Sequence, residues 1–157
     1  MSQVEERLAA AGLSLPPVTA PLAAYVPAKL DGRRVYVSGQ VPLVDGSPAA
    51  TGKVGEGEGL VSPERAKELA QLCALGAIAA VKTVVPDLDQ VASVVKVVGF
   101  VSSAPDFTGQ PGVINGASEL LGEVFGAAGE HARSAVGVAA LPLGAPVEVE
   151  VTVRVRS

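Results

Sequence analysis

The sequence predicts a single α+β domain in which two helices pack on one face of a mixed β-sheet. The clearest observation lies near the C-terminal end, where valine occupies every second position from 147 to 155 and polar residues fill the positions between. A period of two is typical of a strand with one buried face and one polar face. Residues 63–81 and 113–127 instead carry apolar side chains at helical spacing, and predicted strands flank both segments. Such helices would cover one side of every strand, in a chain of 157 residues that has the size of one domain, 1–157.

The N-terminal part is expected to hold a short helix followed by two strands. Residues 2–11 are predicted to form an N-terminal extension helix that ends at a glycine. Residues 20–28 are apolar but contain two prolines, so they are predicted to form at most an edge strand. Residues 34–41, RVYVSGQV, alternate as a strand does, and Asp31 and Gly32 just before them indicate a tight turn.

The first long helix has a clear starting signal. A glycine-rich stretch at residues 45–61 precedes it and is predicted to be a surface loop. Ser62 can cap the helix, Pro63 occupies a position where its missing N–H costs nothing, and Glu64 meets the positive end of the helix dipole. The helix is therefore expected to begin at Pro63 and to continue to about residue 81.

The second half of the chain is predicted to add three strands and one helix. Residues 94–101 are mostly β-branched and indicate a strand, and a loop rich in glycine and proline follows at 103–112. The helix at 113–127 comes next, and residues 133–141 then form another strand. A short segment rich in turn residues joins that strand to the valine-rich one, so the two are expected to pair as an antiparallel hairpin.

Composition excludes several classes of function. The formal net charge is −4 and the Lys and Arg residues are scattered, whereas a nucleic-acid binder normally shows a basic stripe. No apolar stretch reaches the length of a membrane span, and residues 1–15 lack the basic start and apolar run of a signal peptide. The one cysteine, Cys73, cannot form an internal disulfide. These observations predict a cytoplasmic protein.

Arg133 is the residue whose position most needs an explanation. It begins an otherwise apolar predicted strand, and its planar guanidinium matches the geometry of a carboxylate. Glu148 and Glu150 lie on the polar face of the last strand, across the expected hairpin. Arg133 could anchor an anionic substrate while a glutamate orients a water molecule. The alternative is an ordinary structural Arg–Glu ion pair, which composition and spacing alone favour.

These residues lie within motifs that resemble those of a known family. The run RSAVGVAALPLGAPVEVEVTVRV, residues 133–155, resembles the C-terminal signature of the RidA/YjgF family of reactive-intermediate deaminases, also called endoribonuclease L-PSP. YVSGQVP at 36–42 is similar to its Ser-Gly-Gln strand, and AYVP at 24–27 to its Pro-Tyr segment. VVKVVGFV at 94–101 looks like its central strand, and Asn115 stands near an asparagine of the family. The resemblance covers roughly residues 20 to 155, and this chain looks like a longer branch.

The resemblance implies a fold, an assembly and a reaction. The fold is chorismate-mutase-like, and the assembly is a homotrimer with sites at the subunit interfaces. Active members hydrolyse unstable enamines and imines, such as 2-aminoacrylate and its imine tautomer, to 2-keto acids and ammonia. The resemblance implies no metal and no cofactor, and a small carboxylate-bearing substrate.

The resemblance also implies roles for particular residues. Arg133 would bind the substrate carboxylate, and Glu148 would orient the attacking water. The backbone of Gly39 and of Ala135 would contact the reacting nitrogen, the water or the carboxylate. Ala135 stands where well-known members carry cysteine, a change that a backbone role should tolerate. The remaining wall of the site is implied to comprise Ser38, Asn115 and Tyr25, the last reaching a neighbouring subunit.

Other interpretations stay open at this point. The same trimer could bind a small carboxylate as a sensor without turnover, or act as an endoribonuclease, against which the net acidity argues. Chorismate mutase activity would call for several cations in the pocket, and only Arg133 is a strong candidate. His131 could titrate near the site or merely begin a strand. Cys73 lies on the apolar side of a helix and is predicted to be a core residue.

Overall fold

The computed structural model describes residues 1–18, 20, 21 and 23–157, and it consists of a five-stranded mixed sheet covered on one face by helices. The strands lie in the order β1-β2-β7-β5-β6, and a separate two-stranded hairpin contains β3 and β4. The strand bounds are Ala28–Asp31 for β1, Arg34–Val37 for β2, Leu43–Val44 for β3, Ser47–Pro48 for β4, Val91–Ser102 for β5, Ala132–Val138 for β6 and Val147–Val155 for β7.

Three α-helices lie within the described residues, and two of them cover the sheet. The helices are α1 at Gln3–Ala10, α2 at Pro63–Lys82 and α3 at Gln110–Phe125. Ser62 caps α2 by accepting the N–H of Arg65, with Pro63 in the first turn, as the sequence predicts. Helix α3 begins three residues earlier than expected, and a short 3₁₀ turn at Gly126–Gly129 follows it.

The core lies between the sheet and α2 and α3. The valines of β7 at alternate positions face the helices and are almost fully buried, which confirms the one-sided pattern of that strand. They meet the apolar sides of α2 and α3, where Leu69, Ile78, Ile114 and Leu121 are at most 2% exposed. Cys73 is fully buried in the same layer, so its interpretation as a core residue is confirmed.

The expected hairpin between the last two strands is wrong. Strand β5 lies between them: it pairs parallel with β6 and antiparallel with β7. The reason is the crossover, because α3 carries the chain from the end of β5 back to its beginning, so β6 runs in the same direction as β5. The segment at 139–146 then carries the chain past the end of β5 to β7. Arg133 and Glu148 are therefore not cross-strand neighbours.

The first predicted strand is displaced along the chain, to Ala28–Asp31, and the second is shorter than predicted. In residues 20–28, of which Leu22 lies outside the described part, the structure shows a strand only from Ala28, where β1 begins. Strand β2 stops at Val37, so the following SGQ segment lies outside it. The predicted turn is present between β1 and β2, where Gly32 has a φ of +61°.

The loop at 45–61 is more ordered than a plain surface loop. Strands β3 and β4 form a hairpin at its beginning, and Val54 within it is completely buried. The N–H of Val54 donates to the carbonyl of Ser102 at 2.7 Å, and its carbonyl accepts from Ala104 at 2.9 Å. These bonds join the loop to the segment that leads from β5 into α3. None of the helices in the described ranges has the length and apolarity that crossing a membrane would require.

Candidate functional site

Arg133 lies on the edge strand β6 and its side chain points toward helix α3. Its Nη1 donates to Asn115 Oδ1 at 2.7 Å and to Ser118 Oγ at 3.2 Å. Its Nη2 donates to the carbonyl of Pro111 at 3.3 Å. All three acceptors are neutral and belong to α3, so the helix holds the cation in place without cancelling its charge.

The guanidinium keeps an open side. Both hydrogens of Nη1 and one of Nη2 are used in these bonds, whereas Nε has no acceptor among the residues that the structure describes. Nε and Nη2 together form the edge of the guanidinium that binds a carboxylate with two parallel hydrogen bonds, and Nη2 has one acceptor for its two hydrogens among the described residues. Within the same residues no carboxylate lies at ion-pair distance from Arg133. The structural Arg–Glu pair is therefore not formed within the chain.

Glu148 occupies a second, separate place. Its carboxylate lies directly against Gly39, where a Cβ would stand 2.9 Å from Glu148 Cδ. The side chain is half-buried, and burial, followed by the charge of Glu150, raises the pKa of Glu148. A carboxyl group with a raised pKa is a better proton acceptor at neutral pH than an ordinary glutamate.

The backbone beside Glu148 forms a bulge. Tyr36 pairs with Thr152 and Gln40 bridges to Val149, so one strand has one residue more than the other between these pairs. Ser38 and Gly39 lie in this bulge, a feature that often re-aims groups at sites. The N–H of Gly39 donates to no acceptor in the described part of the chain and is available to a ligand.

Ser38 and Tyr25 are linked through the backbone. Ser38 Oγ donates to the carbonyl of Val26 at 2.6 Å, and the Ser38 N–H donates to the carbonyl of Pro27 at 2.9 Å. The hydroxyl thus holds the segment that carries Tyr25 and is not presented as a nucleophile. The Tyr25 side chain is 55% exposed and projects away from the chain's own core.

Ala135 lies two residues after Arg133 on the same face of β6. It pairs with Gly99 and packs against the core through its methyl group. Since β6 is an edge strand, alternate N–H and C=O groups along it face outward without a strand partner. The backbone near Ala135 is therefore free to contact a ligand beside Arg133.

The structure brings the predicted residues together as two groups on opposite faces of the sheet. Arg133 pairs with Val97 of β5, and Val97 pairs with Val151 of β7. The side chain of Val151 faces the helices, so the side chain of Arg133 lies on the same face. Glu148 stands three residues from Val151, and an odd offset places it on the other face. One group comprises Arg133, Asn115 and Ala135, and the other comprises Glu148, Gly39, Ser38 and Tyr25.

Two surface hollows do not coincide with either group. One, of about 250 Å³, lies between the segment after α1 and the C-terminal end of α2, lined in part by Leu15 and Lys82. The other, of about 300 Å³, lies at the start of α1 and is lined in part by Glu5 and Asp89. Neither hollow is lined by Arg133 or by Glu148.

Cys73 does not contribute a nucleophile. Burial, and to a lesser extent the charge of Glu148, raises the pKa of its thiol well above the usual range. Since the thiolate is the reactive form, this cysteine is inert at neutral pH.

Comparison with known proteins decides the family. Residues 5–152 match the model of the YjgF/chorismate mutase-like family, described as "putative endoribonuclease". The chain belongs to this family. The chorismate-mutase-like fold that the C-terminal motif implies is thereby confirmed, since the sheet and helices described above have the family's α+β architecture.

Three relatives span nearly the whole chain. Protein TCP17 of Trypanosoma cruzi is 41% identical over 156 residues, which is 99% of this chain and 96% of the relative. The crystal structure of Atu1372 from Agrobacterium tumefaciens, whose function is described as unknown, is 42% identical with a TM-score of 0.87, covering 97% of this chain and 91% of that one. A crystal structure from Shewanella oneidensis, described as a "putative endoribonuclease", is 30% identical with a TM-score of 0.92. The match covers 97% of this chain and 99% of that one.

Sequence reasoning missed one part of the site. Ser118 bonds to Arg133 and to His131, yet no role was predicted for it. The signal was available, because Asn115 and Ser118 are three residues apart and form a polar stripe beside the apolar side of α3. A polar pair at that spacing, on a helix that packs beside an edge-strand arginine, is the pattern to look for.

Proposed function

We propose that this chain is an imine and enamine deaminase that acts as a homotrimer and releases a 2-keto acid and ammonia. The observation that carries the proposal is the open edge of Arg133, a fixed guanidinium with neutral neighbours and no carboxylate partner among the described residues. Such a group is matched to a planar carboxylate. Membership of the family whose motifs suggested this activity supports it as well.

The two groups on opposite faces support a site shared between subunits. Within one chain Arg133 and Glu148 cannot face the same small ligand, because the sheet lies between their side chains. In a trimer the β6 edge of one subunit would meet the outer sheet face of the next, bringing the Arg133 of one and the Glu148 of the other to one cleft. Tyr25 projects from the Glu148 group and would close the wall against the neighbour. A cleft of this kind would enclose the ligand, as small-molecule sites usually require.

The proposed chemistry needs only these groups. Arg133 holds the carboxylate of the 2-imino acid, and the Glu148 carboxylate accepts a proton from a water molecule that attacks the imine carbon. Glu148 returns this proton to the nitrogen, which gives a carbinolamine, and then transfers the hydroxyl proton of that intermediate to the nitrogen as well. The carbon–nitrogen bond breaks as the carbonyl forms, and the products are the 2-keto acid and ammonia. Placing a water on an already electrophilic carbon is an effect of position, which in ideal cases contributes about 7–11 kcal/mol. The reaction uses no metal, no cofactor and no nucleophilic serine.

The test is a coupled assay that generates 2-aminoacrylate in situ and follows the 2-keto acid. We expect the wild type to accelerate its formation and Arg133→Ala to reduce kcat/KM by at least about 100-fold, since a charge-assisted bidentate contact is lost. Arg65→Ala, which removes an exposed arginine that pairs with Glu68, is the control and should keep full activity. An Arg133→Ala variant with wild-type turnover would exclude the proposed anchor.

The wild type and the Arg133→Ala variant also test two alternative functions. Binding of a 2-keto acid by the wild type without turnover would favour a carboxylate-binding trimer. Endoribonuclease activity, which the description of the family suggests, requires RNA cleavage that persists through purification and is lost in Arg133→Ala. The net charge of −4 without a basic track disfavours it. A cytoplasmic location remains a prediction from the sequence.

A further inference from the structure

Arg133 is connected to a short chain of hydrogen bonds that the proposed mechanism does not use. His131 Nδ1 lies 2.6 Å from the carbonyl oxygen of Gly129, and His131 Nε2 lies 2.9 Å from Ser118 Oγ. Ser118 Oγ in turn accepts the Nη1–H of Arg133 at 3.2 Å. The side chains of His131 and Ser118 are both half-buried, and they lie on the side of Arg133 away from its open edge.

The partners fix the direction of each bond in the neutral ring. A carbonyl oxygen can only accept, so Nδ1 carries the hydrogen and donates it to Gly129. Nε2 then offers a lone pair and accepts the O–H of Ser118. Because the Ser118 hydrogen is drawn toward His131, the lone pairs of Oγ are left for Arg133. The serine hydroxyl, which is otherwise a free rotor, is thereby held as an acceptor.

The hydrogen bonds from His131 through Ser118 to Arg133 help to determine the orientation of the guanidinium. Asn115 accepts one hydrogen of Nη1 and Ser118 the other, while the Pro111 carbonyl accepts from Nη2, so two of the three contacts that set the plane of the group are on Nη1. With Ser118 alone removed, Nη1 could rotate away and the Nε–Nη2 edge would no longer face outward in one fixed direction. A long side chain at an edge strand has many rotamers, so losing one of its fixed contacts reduces pre-organisation.

We propose that Ser118 and His131 are positioning residues that hold Arg133 with its open edge toward the carboxylate of a 2-keto or 2-imino acid. This rests on the proposed function for the identity of the ligand, but the geometry of the hydrogen bonds is independent of it. His131 acts only through Ser118, and Ser118 acts only through Arg133. Neither touches the reacting atoms.

The experiment compares three substitutions with a matched control. Ser118→Ala removes the acceptor, His131→Phe keeps the shape of the ring without a nitrogen, and His131→Gln supplies an oxygen that can accept the Ser118 hydroxyl. Ser93→Ala, a half-buried serine of β5 without a side-chain hydrogen bond in the described chain, is the control. For each protein, pyruvate affinity is measured by calorimetry, KM and kcat in the coupled assay, and Arg133 Nε–H order by ¹⁵N relaxation.

We expect Ser118→Ala and His131→Phe to weaken pyruvate binding and to raise KM about ten-fold, with kcat changed much less. The Arg133 Nε–H should become more mobile in both. His131→Gln should restore most of the affinity and order, and Ser93→Ala should behave as the wild type. A role limited to stability would lower the melting temperature without this split between KM and kcat.

Two results would overturn the proposal. One is an Arg133 Nε–H that stays as ordered in Ser118→Ala and His131→Phe as in the wild type. The other is an Nε–H that loses order while pyruvate affinity stays unchanged. If the wild type neither binds pyruvate nor turns over the imine, the proposed function fails, but the relaxation measurement still decides whether these two residues position Arg133.

Discussion

Gly39 determines whether the Glu148 carboxylate can occupy its place. Its backbone dihedrals are open to other residues, so the constraint is space: a Cβ would stand 2.9 Å from Glu148 Cδ and closer still to the carboxylate oxygen. We expect Gly39→Ala to displace the carboxylate and lower kcat at least about ten-fold, since misplaced catalytic groups cost that much or more. The fold should persist, because the displaced atoms end a flexible side chain.

The matched control for this prediction is Gly122→Ala. A Cβ there meets open space on α3, so alanine should keep activity and stabilise the helix by about 1 kcal/mol. Steady-state kinetics and thermal unfolding of both variants provide the measurement. Full activity in Gly39→Ala would show that the position of Glu148 against Gly39 is not required.

Glu148 should also give the protein a characteristic dependence of stability on pH. Burial and the charge of Glu150 raise its pKa in the folded protein above that in the unfolded chain. Glu148 therefore favours folding most at pH values below its pKa in the unfolded chain. This contribution to the free energy of unfolding is lost as pH rises through its pKa in the folded protein. We expect the free energy of unfolding of Glu148→Gln to increase relative to that of the wild type as pH rises through this range. Urea unfolding at a series of pH values provides the measurement.

Glu56→Gln, which removes an exposed glutamate of the 45–61 loop, controls for the loss of one negative charge. A difference between Glu148→Gln and the wild type that becomes smaller with rising pH would contradict the prediction.

Individual residues were only partly predictable from the sequence. Arg133 stands out because a cation begins an otherwise apolar strand, and Asn115 because it stands near an asparagine of the family that the chain resembles. Ser118 was missed because a single serine on a helix resembles any solvated position until the facing strand is known. The proximity of Gly39 and Glu148 depends on a bulge, which no local pattern announces.

At the level of elements, α1 is attached to the domain through its N-terminal end. Asp89 accepts the N–H groups of Gln3 and Val4 at 2.9 and 3.2 Å, while Val4 and Leu8 are buried. We expect Asp89→Ala to lower the free energy of unfolding by about 1 kcal/mol, as the loss of a helix cap does. Hydrogen exchange should show the amides of α1 losing protection before the rest of the protein.

Asp106→Ala is the control for this prediction, since Asp106 is exposed and makes no side-chain hydrogen bond among the described residues. Equal protection of α1 in both variants would show that Asp89 does not hold the helix.

The elements themselves show what local signals can and cannot determine. The start of α2 followed from its cap and proline, and the burial of β7 from its alternation, because both depend on neighbouring residues alone. The pairing of β6 could not be predicted from local signals, since a chain that leaves β5 through a helix can return to either side of β5. The choice of β5 as the parallel partner depends on the handedness of the crossover and on which edge remains open.

At the level of the whole molecule, the sheet face away from the helices has apolar residues that one chain leaves uncovered. Val136 and Tyr36, which lie on this face, are 45% and 48% exposed. Proteins usually cover such patches with a partner. Under the proposed assembly we expect sedimentation velocity to give a species of about 47 kDa, three times the 15.7 kDa of the chain.

Val136→Glu should convert that species to a monomer and abolish turnover, because it places a charge within the proposed contact. Val44→Glu is its control: Val44 is 53% exposed, but on the small hairpin. An intact and active trimer in Val136→Glu would place the contact elsewhere.

The separation of Arg133 and Glu148 by the thickness of the sheet has a genetic consequence. If each catalytic centre combines the arginine of one subunit with the glutamate of another, two inactive proteins can complement each other. Arg133→Ala and Glu148→Gln subunits, unfolded together and refolded as a mixture, would by chance regenerate about one quarter of the centres with both native residues. Two inactive alleles in one cell would then yield a working enzyme, as no pair could if each chain carried its own complete centre.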